Sequence, residues 1–413
     1  MKQNTHFNRF DLLTTLIILS VPYLALSLNQ HGFLALLPFI REEFVLNRTQ
    51  VGLYSTFYFL SSALLAITTG IIVDSLGARK GVLLGIGFMG SIIFLYSLAP
   101  SYGVLLLLAF LAGLGWSIIT PSVNKGVILA APIEKRAVSM GIMQSGMGIG
   151  GLTGAILLPL LGESFGWRMA IQVSAVFALM MWFLVFLFYK EKSKDYRIND
   201  IKDEQCNKRS IKNNFGYVLK SKPLLKACML GLIFGISTGS ILSHYTVFLS
   251  EDLLLSRTAA GVGLGAFQVG GILGRPVWGL VSDKLFKQDR SKTLYVMGII
   301  IGAMYLFFGV FISNFSINYV SILVISFCLG ASAFGWTGVH FVAIGEFAGD
   351  QLVGIATGLS LLFVRTGMLI APPIFGFIAD LRGDYMLSWI FFGLVVSCAS
   401  IVYHFSAISK KVD

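Results

Sequence analysis

Apolar residues run in blocks of about twenty along the whole chain, separated by short segments rich in Gly, Lys, Arg and Asp. Coiled as a helix at about 1.5 Å per residue, such a block matches the hydrocarbon thickness of a bilayer. Twelve spans are predicted, near 12–40, 50–73, 81–99, 103–124, 137–161, 167–189, 225–249, 258–281, 293–313, 318–345, 353–378 and 386–408. The expected class is an all-α membrane protein.

Composition agrees. Mean hydropathy is +0.81, and only 12% of the 413 residues are charged against 56% hydrophobic, a balance that suits a polytopic membrane protein. Positive charge is retained on the cytoplasmic side of a membrane. With both termini inside, 24 of the 31 Lys and Arg fall in cytoplasmic segments, and the outer loops hold five, Arg41, Arg48, Arg168, Arg257 and Arg382. The net charge of +11 therefore reads as topology and contact with the lipid bilayer. Nucleic-acid binding is disfavoured, because the basic residues are spread over several loops with no aromatic-interleaved groove. The expected location is a bacterial inner (plasma) membrane.

Eleven Lys and Arg between Lys190 and Lys226 mark a solvated cytoplasmic linker. It divides the chain into an N-terminal six-helix bundle (1–189), a linker (190–223) and a C-terminal six-helix bundle (224–413). The first apolar run is too long for a signal-peptide core, so it is expected to remain as an anchor. Cys206 falls in the linker, while Cys228, Cys328 and Cys398 lie in apolar spans, so neither a disulfide framework nor a metal site is expected. No cofactor and no enzymatic activity are expected either, since nucleophile–base clusters and nucleotide loops are missing.

The two bundles repeat one another. Leu46-Asn47-Arg48-Thr49, followed by a helix ending in Gly70 and Asp74, recurs 209 residues later as Leu255-Ser256-Arg257-Thr258, followed by a helix ending in Gly279 and Asp283. Gly115-Trp116 is echoed by Gly335-Trp336 in the equivalent span. Parallel six-span repeats with a substrate site near the midplane at their interface describe a rocking transporter.

The segment Gly70-Ile-Ile-Val-Asp74-Ser-Leu-Gly77-Ala-Arg79-Lys80 resembles the signature of the major facilitator superfamily between its second and third helices, and Gly279 to Asp283 resembles its weaker second copy. The resemblance implies the major facilitator fold, twelve helices in two pseudo-symmetric bundles, with a monomer as the default state. In physical terms Gly70 and Gly77 permit a tight turn, and Asp74, Arg79, Lys80 and Asp283 can pair with helix ends, forming a conformational latch. After Asp283 the second copy departs from the pattern, running Lys284-Leu-Phe-Lys287-Gln-Asp289-Arg290.

Two arginines, Arg275 and Arg365, lie deep inside predicted spans, while no Asp or Glu lies in any span. An unpaired cation in hydrocarbon costs at least about 2.5 to 3.5 kcal/mol, so each points to a water-filled cavity and an anionic partner, which the substrate would supply. Arg275 sits in Gly274-Arg275-Pro276-Val277-Trp278-Gly279, eight residues before Asp283, deep enough to reach a central cavity. This stretch resembles the eighth helix of monocarboxylate and oxalate/formate-type carriers, whose arginine binds the substrate carboxylate. Arg365, in Leu361-Leu-Phe-Val-Arg365-Thr366-Gly367, resembles the second cation of the oxalate/formate-type carriers. Guanidinium offers a carboxylate bidentate geometry, so two of them can clamp one anion.

Other polar or aromatic candidates for lining the site are Asn29, Gln30, His31, Tyr54, Tyr58, Gln144, His244, Tyr245, Gln268, Trp336 and His340. Coupling to H⁺ would need His31, His244 or His340 as the titrating group; Na⁺ or a counter-anion are the other options. Lys125 reads as a snorkelling anchor. The run Gly146, Gly148, Gly150, Gly151 and Gly154 predicts close helix packing. The resulting expectation is a secondary-active transporter of a small organic anion, most simply a carboxylate, acting as symporter or exchanger. A multidrug or metabolite efflux antiporter would want a membrane acid. A nitrate-type carrier places an arginine in the second helix, where this chain has Ala66. A non-transporting sensor of the same fold is the remaining alternative.

Overall fold

The computed structural model of the chain describes residues 9–65, 69, 72–73, 75–131, 136–190, 221–312, 318–348 and 353–408. Among them every regular element is helical: α1 (Arg9–Ala35), α2 (Leu37–Phe44), α3 (Arg48–Leu64), α4 (Ala78–Tyr96), α5 (Tyr102–Ala130), α6 (Arg136–Phe165), α7 (Trp167–Phe188), α8 (Lys222–Glu251), α9 (Arg257–Leu280), α10 (Arg290–Phe307), α11 (Tyr319–Ala333), α12 (Trp336–Ala348), α13 (Val353–Arg382) and α14 (Met386–Ile408). Ten stretches of the described residues are long and apolar enough to cross a bilayer. The other two predicted spans correspond to α3, described over 17 residues, and α9, whose 24 residues are rich in glycine and carry Arg257 and Arg275.

The helices pack into two compact units, Met1–Phe33 with Leu60–Asp195, and Leu34–Phe59 with Tyr196–Asp413. In the first unit α6 runs against α1 with almost no side chain between them. A Cβ built on Gly146, Gly150 or Gly154 would lie 2.3, 2.2 and 2.3 Å from the carbonyl oxygens of Ser20, Leu24 and Leu28. Small residues at four-residue spacing let two helix backbones meet where apolar burial alone offers no drive, because lipid is as apolar as a side chain. Gly150→Val is therefore expected to cost about 1–3 kcal/mol. A thermal melt in detergent checks this, and an unchanged melting temperature would contradict the close approach.

The second unit uses the same device, with Gly235 of α8 against the Val364 carbonyl and Gly367 of α13 against that of Leu232, both at 2.2 Å. Prolines free backbone carbonyls here, and neighbouring helices satisfy them. Pro38 removes the donor that would meet the Leu34 carbonyl, which instead accepts from the Thr246 hydroxyl at 2.9 Å. Pro373 does the same to Leu369, whose carbonyl accepts from Thr56 at 2.8 Å. The repeat noted at Leu46 and Leu255 has a physical basis too. Asn47 and Gln50 exchange side chain–backbone hydrogen bonds of 2.9 and 2.7 Å at the start of α3, and Ser256 accepts from the Ala259 N–H at the start of α9, so both copies are helix caps.

Two predicted spans are interrupted. The first stops at Ala35 and resumes as α2 from Leu37, with Pro38 in its first turn. The tenth, expected as one helix over 318–345, breaks at Phe334 and Gly335. A helix end inside a membrane must find new partners for its last carbonyls. Ala331 O accepts from the Trp278 indole at 3.1 Å, and Ala333 O accepts from the Thr238 hydroxyl at 3.0 Å and the Trp336 indole at 2.8 Å. None of these donors but Trp336 belongs to the broken span, so local sequence carried no signal of the break.

Candidate functional site

Arg275 lies beside this break. Its guanidinium carbon stands 5.6 Å from the centroid of the Phe334 ring, and Gly338 at the start of α12 brings its Cα side to within 3.9 Å of the Arg275 carbonyl, measured from where a Cβ would sit. The side chain is half-buried, its Nε is fully buried without a hydrogen-bond partner, and among the described residues no carboxylate pairs with it. The guanidinium is thus held against an aromatic face with its Nε unsatisfied and no counter-charge among the described residues. Gln268 lies seven residues earlier on α9, on nearly the same helical face and about 10 Å away along the axis. It is buried, and its Nε2 has no partner among the described residues.

Trp278, three residues after Arg275, ties the helix to the break. Trp278→Phe removes the donor to Ala331 O while keeping an aromatic ring, and is expected to cost about 1–3 kcal/mol. A thermal melt compared with an exposed Phe→Leu control reads this; an unchanged melting temperature would show the carbonyl to be satisfied otherwise.

The remaining candidates fall into distinct surroundings. His340 donates to or accepts from Ser360 Oγ at 2.7 Å through Nε2, and its buried Nδ1 has no hydrogen-bond partner among the described residues. Trp336 packs on it at 5.4 Å between ring centroids. His244 has both ring nitrogens engaged, Nε2 with Pro372 O at 2.8 Å and Nδ1 with the Tyr385 hydroxyl at 3.3 Å. Tyr245 is fully buried and hydrogen-bonds Ser326 at 2.6 Å. Tyr54 and Tyr58 stack at 6.2 Å. Arg365 is half-buried on α13, one residue after Val364, whose backbone packs against α8. In the first unit His31 Nδ1 meets Ser27 at 2.9 Å, Asn29 donates to Ala25 O at 2.8 Å, and the Asn29 Oδ1 and Gln30 Oε1 atoms are buried without partners among the described residues. Gln144 is exposed. The structure thus groups Arg275 with Phe334 and Trp278, and His340 with Trp336 and Ser360, while Tyr245 and His244 belong to packed cores.

Sequence reasoning missed a cluster at the helix ends farthest from the linker. Asp380, near the end of α13, accepts from the Arg48 N–H at 2.9 Å, the Thr49 N–H at 2.8 Å and the Thr49 hydroxyl at 2.6 Å, so one carboxylate caps the N-terminus of α3. Glu251 pairs with Arg41 and, at 3.1 Å, with Arg48; Glu42 pairs with Arg257. Arg48 also lies 5.1 Å from the Tyr385 ring centroid, and the Tyr385 N–H donates to Asp252 at 2.8 Å. Just beneath, Ser55 and Ser243 share a 2.6 Å hydrogen bond. The only available sequence signal was that outer-loop arginines are matched by acids at neighbouring helix ends.

Burial is the largest influence on Asp252 and holds its carboxyl above the ordinary 3.8, against the Tyr385 N–H and the nearby arginines, which lower it. The folded cluster therefore binds a proton more readily than the hydrated, unfolded chain. Its contribution to stability is present below 3.8 and is lost as pH rises through the raised value. Asp252→Asn, which mimics the protonated form, is expected to flatten that dependence in a pH series of thermal melts; an unaltered pH profile would count against it.

At the opposite end Gly77 adopts φ +86 at the start of α4, a backbone conformation that favours glycine. Arg79 donates to Phe186 O at 2.8 Å, Lys80 is exposed, and Lys125 reaches Val73 O at 3.2 Å. Gly70 and Asp74 lie outside the described residues. In the second copy Asp283 pairs with Arg290 at 2.5 Å, and Arg290 with Glu346 at 3.1 Å. The charge pair is therefore present but shifted, since Lys287 and Gln288 turn with positive φ before Arg290.

A family profile described as Major Facilitator Superfamily matches residues 19–344 and 227–409. The chain is 23% identical over 369 residues to the hexuronate transporter of Bacillus subtilis (strain 168), covering 88% of this chain and 87% of that protein. It is 25% identical over 386 residues to the probable nitrate transporter NarT of Staphylococcus carnosus (strain TM300), covering 91% and 92%. Among solved structures it is similar to a bacterial homolog of the human lysosomal transporter Spinster in an inward-facing and unoccupied conformation, with TM-score 0.75, 15% identity and coverage of 98% and 96%. That identity speaks for the fold alone. With its apolar spans, paired repeats and near-complete profile match, the chain belongs to the Major Facilitator Superfamily of multi-pass membrane transporters.

Proposed function

We propose that this chain is a secondary-active transporter of a small organic anion, working by alternating access with Arg275 as the principal ligand of the anion and Arg365 as a second cation of the pathway. The observation that carries this reading is the Arg275 guanidinium, held on Phe334 beside a broken helix with its Nε unpartnered and no acidic neighbour among the described residues. Broken helices at membrane depth are characteristic of transporter binding sites. The relatives named for hexuronate and nitrate support an anion as cargo. The aromatic face and the buried Gln268 amide favour an organic anion with a second acceptor group over a small inorganic ion.

With the termini on the cytoplasmic side, the cluster around Asp380 is the closed outer end, and the Asp74 to Lys80 segment is the cytoplasmic latch that forms when the inner end closes. An exchanger keeps an anion near Arg275 through the whole cycle, which suits a span set without carboxylates. If protons are coupled instead, His340 is the best-placed of the three histidines, because it alone keeps a buried ring nitrogen without a hydrogen-bond partner among the described residues.

A thermal-shift screen of purified protein against carboxylates, sulfonates, inorganic anions and hydrophobic cations tests the reading, since a ligand stabilises the folded state in proportion to occupancy. Stabilisation by an organic anion, lost in Arg275→Gln and weakened in Arg365→Gln, is expected. Stabilisation by cations alone, or equally in all three proteins, would favour an efflux carrier instead.

A further inference from the structure

Helices α8 and α14 leave a groove of about 350 Å³ between them, close to the end of α8 that joins the linker. Its floor is apolar, lined by Met229 and Ile233 of α8 and Val402 of α14, and it opens outward, with Met229 57% and Val402 68% exposed. Its polar end holds Lys226 and Tyr403, whose hydroxyl donates to Ser291 at 3.3 Å in the first turn of α10. Lys222 lies one turn before Lys226 on the same face.

On a membrane-spanning surface such a groove faces lipid. From Lys226 to Ile233 it runs about 10 Å along the helix, most of the depth of one leaflet of a hydrocarbon core about 30 Å thick. A lysine at one end and a thioether and branched aliphatics along the floor match a molecule with an anionic head and a hydrocarbon tail. Basic pockets between transmembrane helices at the cytoplasmic face bind anionic headgroups for this reason.

We infer that this groove is a binding site for one anionic phospholipid, its phosphate at Lys226 and one acyl chain along Met229 and Ile233. The site is separate from Arg275, so it stands or falls apart from the transport reading. A lipid wedged between α8 and α14 would also restrain α8, whose glycines carry the contact with α13.

Native mass spectrometry of delipidated protein, titrated with phosphatidylglycerol or phosphatidylcholine, is the test. The wild type is expected to retain a single phosphatidylglycerol adduct at least about fivefold better than phosphatidylcholine, in keeping with one lysine at a membrane surface. Lys226→Gln is expected to bring the two lipids level, and Met229→Trp, which fills the groove, to reduce both. Equal retention of the two lipids by the wild type, or a preference that survives Lys226→Gln, would overturn the assignment. Each variant's melting temperature in detergent separates loss of the site from loss of the fold.

Discussion

Arg275→Gln is expected to abolish transport while stabilising the empty protein. The guanidinium offers an anion several charge-assisted donors in a desolvated setting against Phe334. Truncating one partner of a buried, hydrogen-bonded charge pair costs about 2–5 kcal/mol, which is about a 30- to 4000-fold loss of affinity. The ligand-free protein moves the other way, because the variant no longer holds an unpaired cation in a low-dielectric site. Arg275→Lys keeps the charge but loses the planar fork, and its affinity is expected to fall between the two. Binding measured calorimetrically, beside thermal melts without ligand, reads both effects. Lower affinity with a lower ligand-free melting temperature would recast Arg275 as a structural residue.

Asp380→Ala is expected to open the far end of the bundle. One carboxylate receives two N–H groups and a hydroxyl at the start of α3, and Gly376, one turn earlier, lets α13 lie against that start, a Cβ there falling 2.2 Å from the Arg48 carbonyl. Caps of this kind contribute about 0.5–2 kcal/mol and charged acceptors about 1.5–3 kcal/mol. A net loss near 2 kcal/mol shifts the balance between closed and open forms about 30-fold. Ser243→Cys in a cysteine-free background supplies the readout, since Ser243 is fully buried beneath the cluster. A membrane-impermeant maleimide should label it tens of times faster when Asp380 is replaced by Ala, and at an intermediate rate with Asn. An unchanged rate would mean that the cluster does not hold this end closed.

The difference between these two sites explains what could be read from sequence. Hydrocarbon penalises charge at a known depth, so Arg275 stands out from its own span alone. The same applies to the glycines of α6, whose four-residue spacing shows one face of one helix. Asp380 gives no such signal: it sits in a polar segment where an acid is unremarkable, and its partners lie 331 and 332 positions away. The break at Phe334 is hidden for the same reason, since the groups that cap it, Trp278 and Thr238, come from other helices. His244 and Tyr245 read as lining residues because they are polar, yet each is satisfied inside the packed core. Polarity within a span shows that a partner exists. Only the fold tells whether that partner is protein or substrate.

An organic anion is expected to cross the membrane by binding Arg275. The most direct test is counterflow in proteoliposomes: vesicles loaded with the anion that stabilises the purified protein, diluted into the labelled form, with wild type and Arg275→Gln side by side. The wild type is expected to accumulate label transiently and the variant not at all. Accumulation at equal rates in both would contradict that expectation.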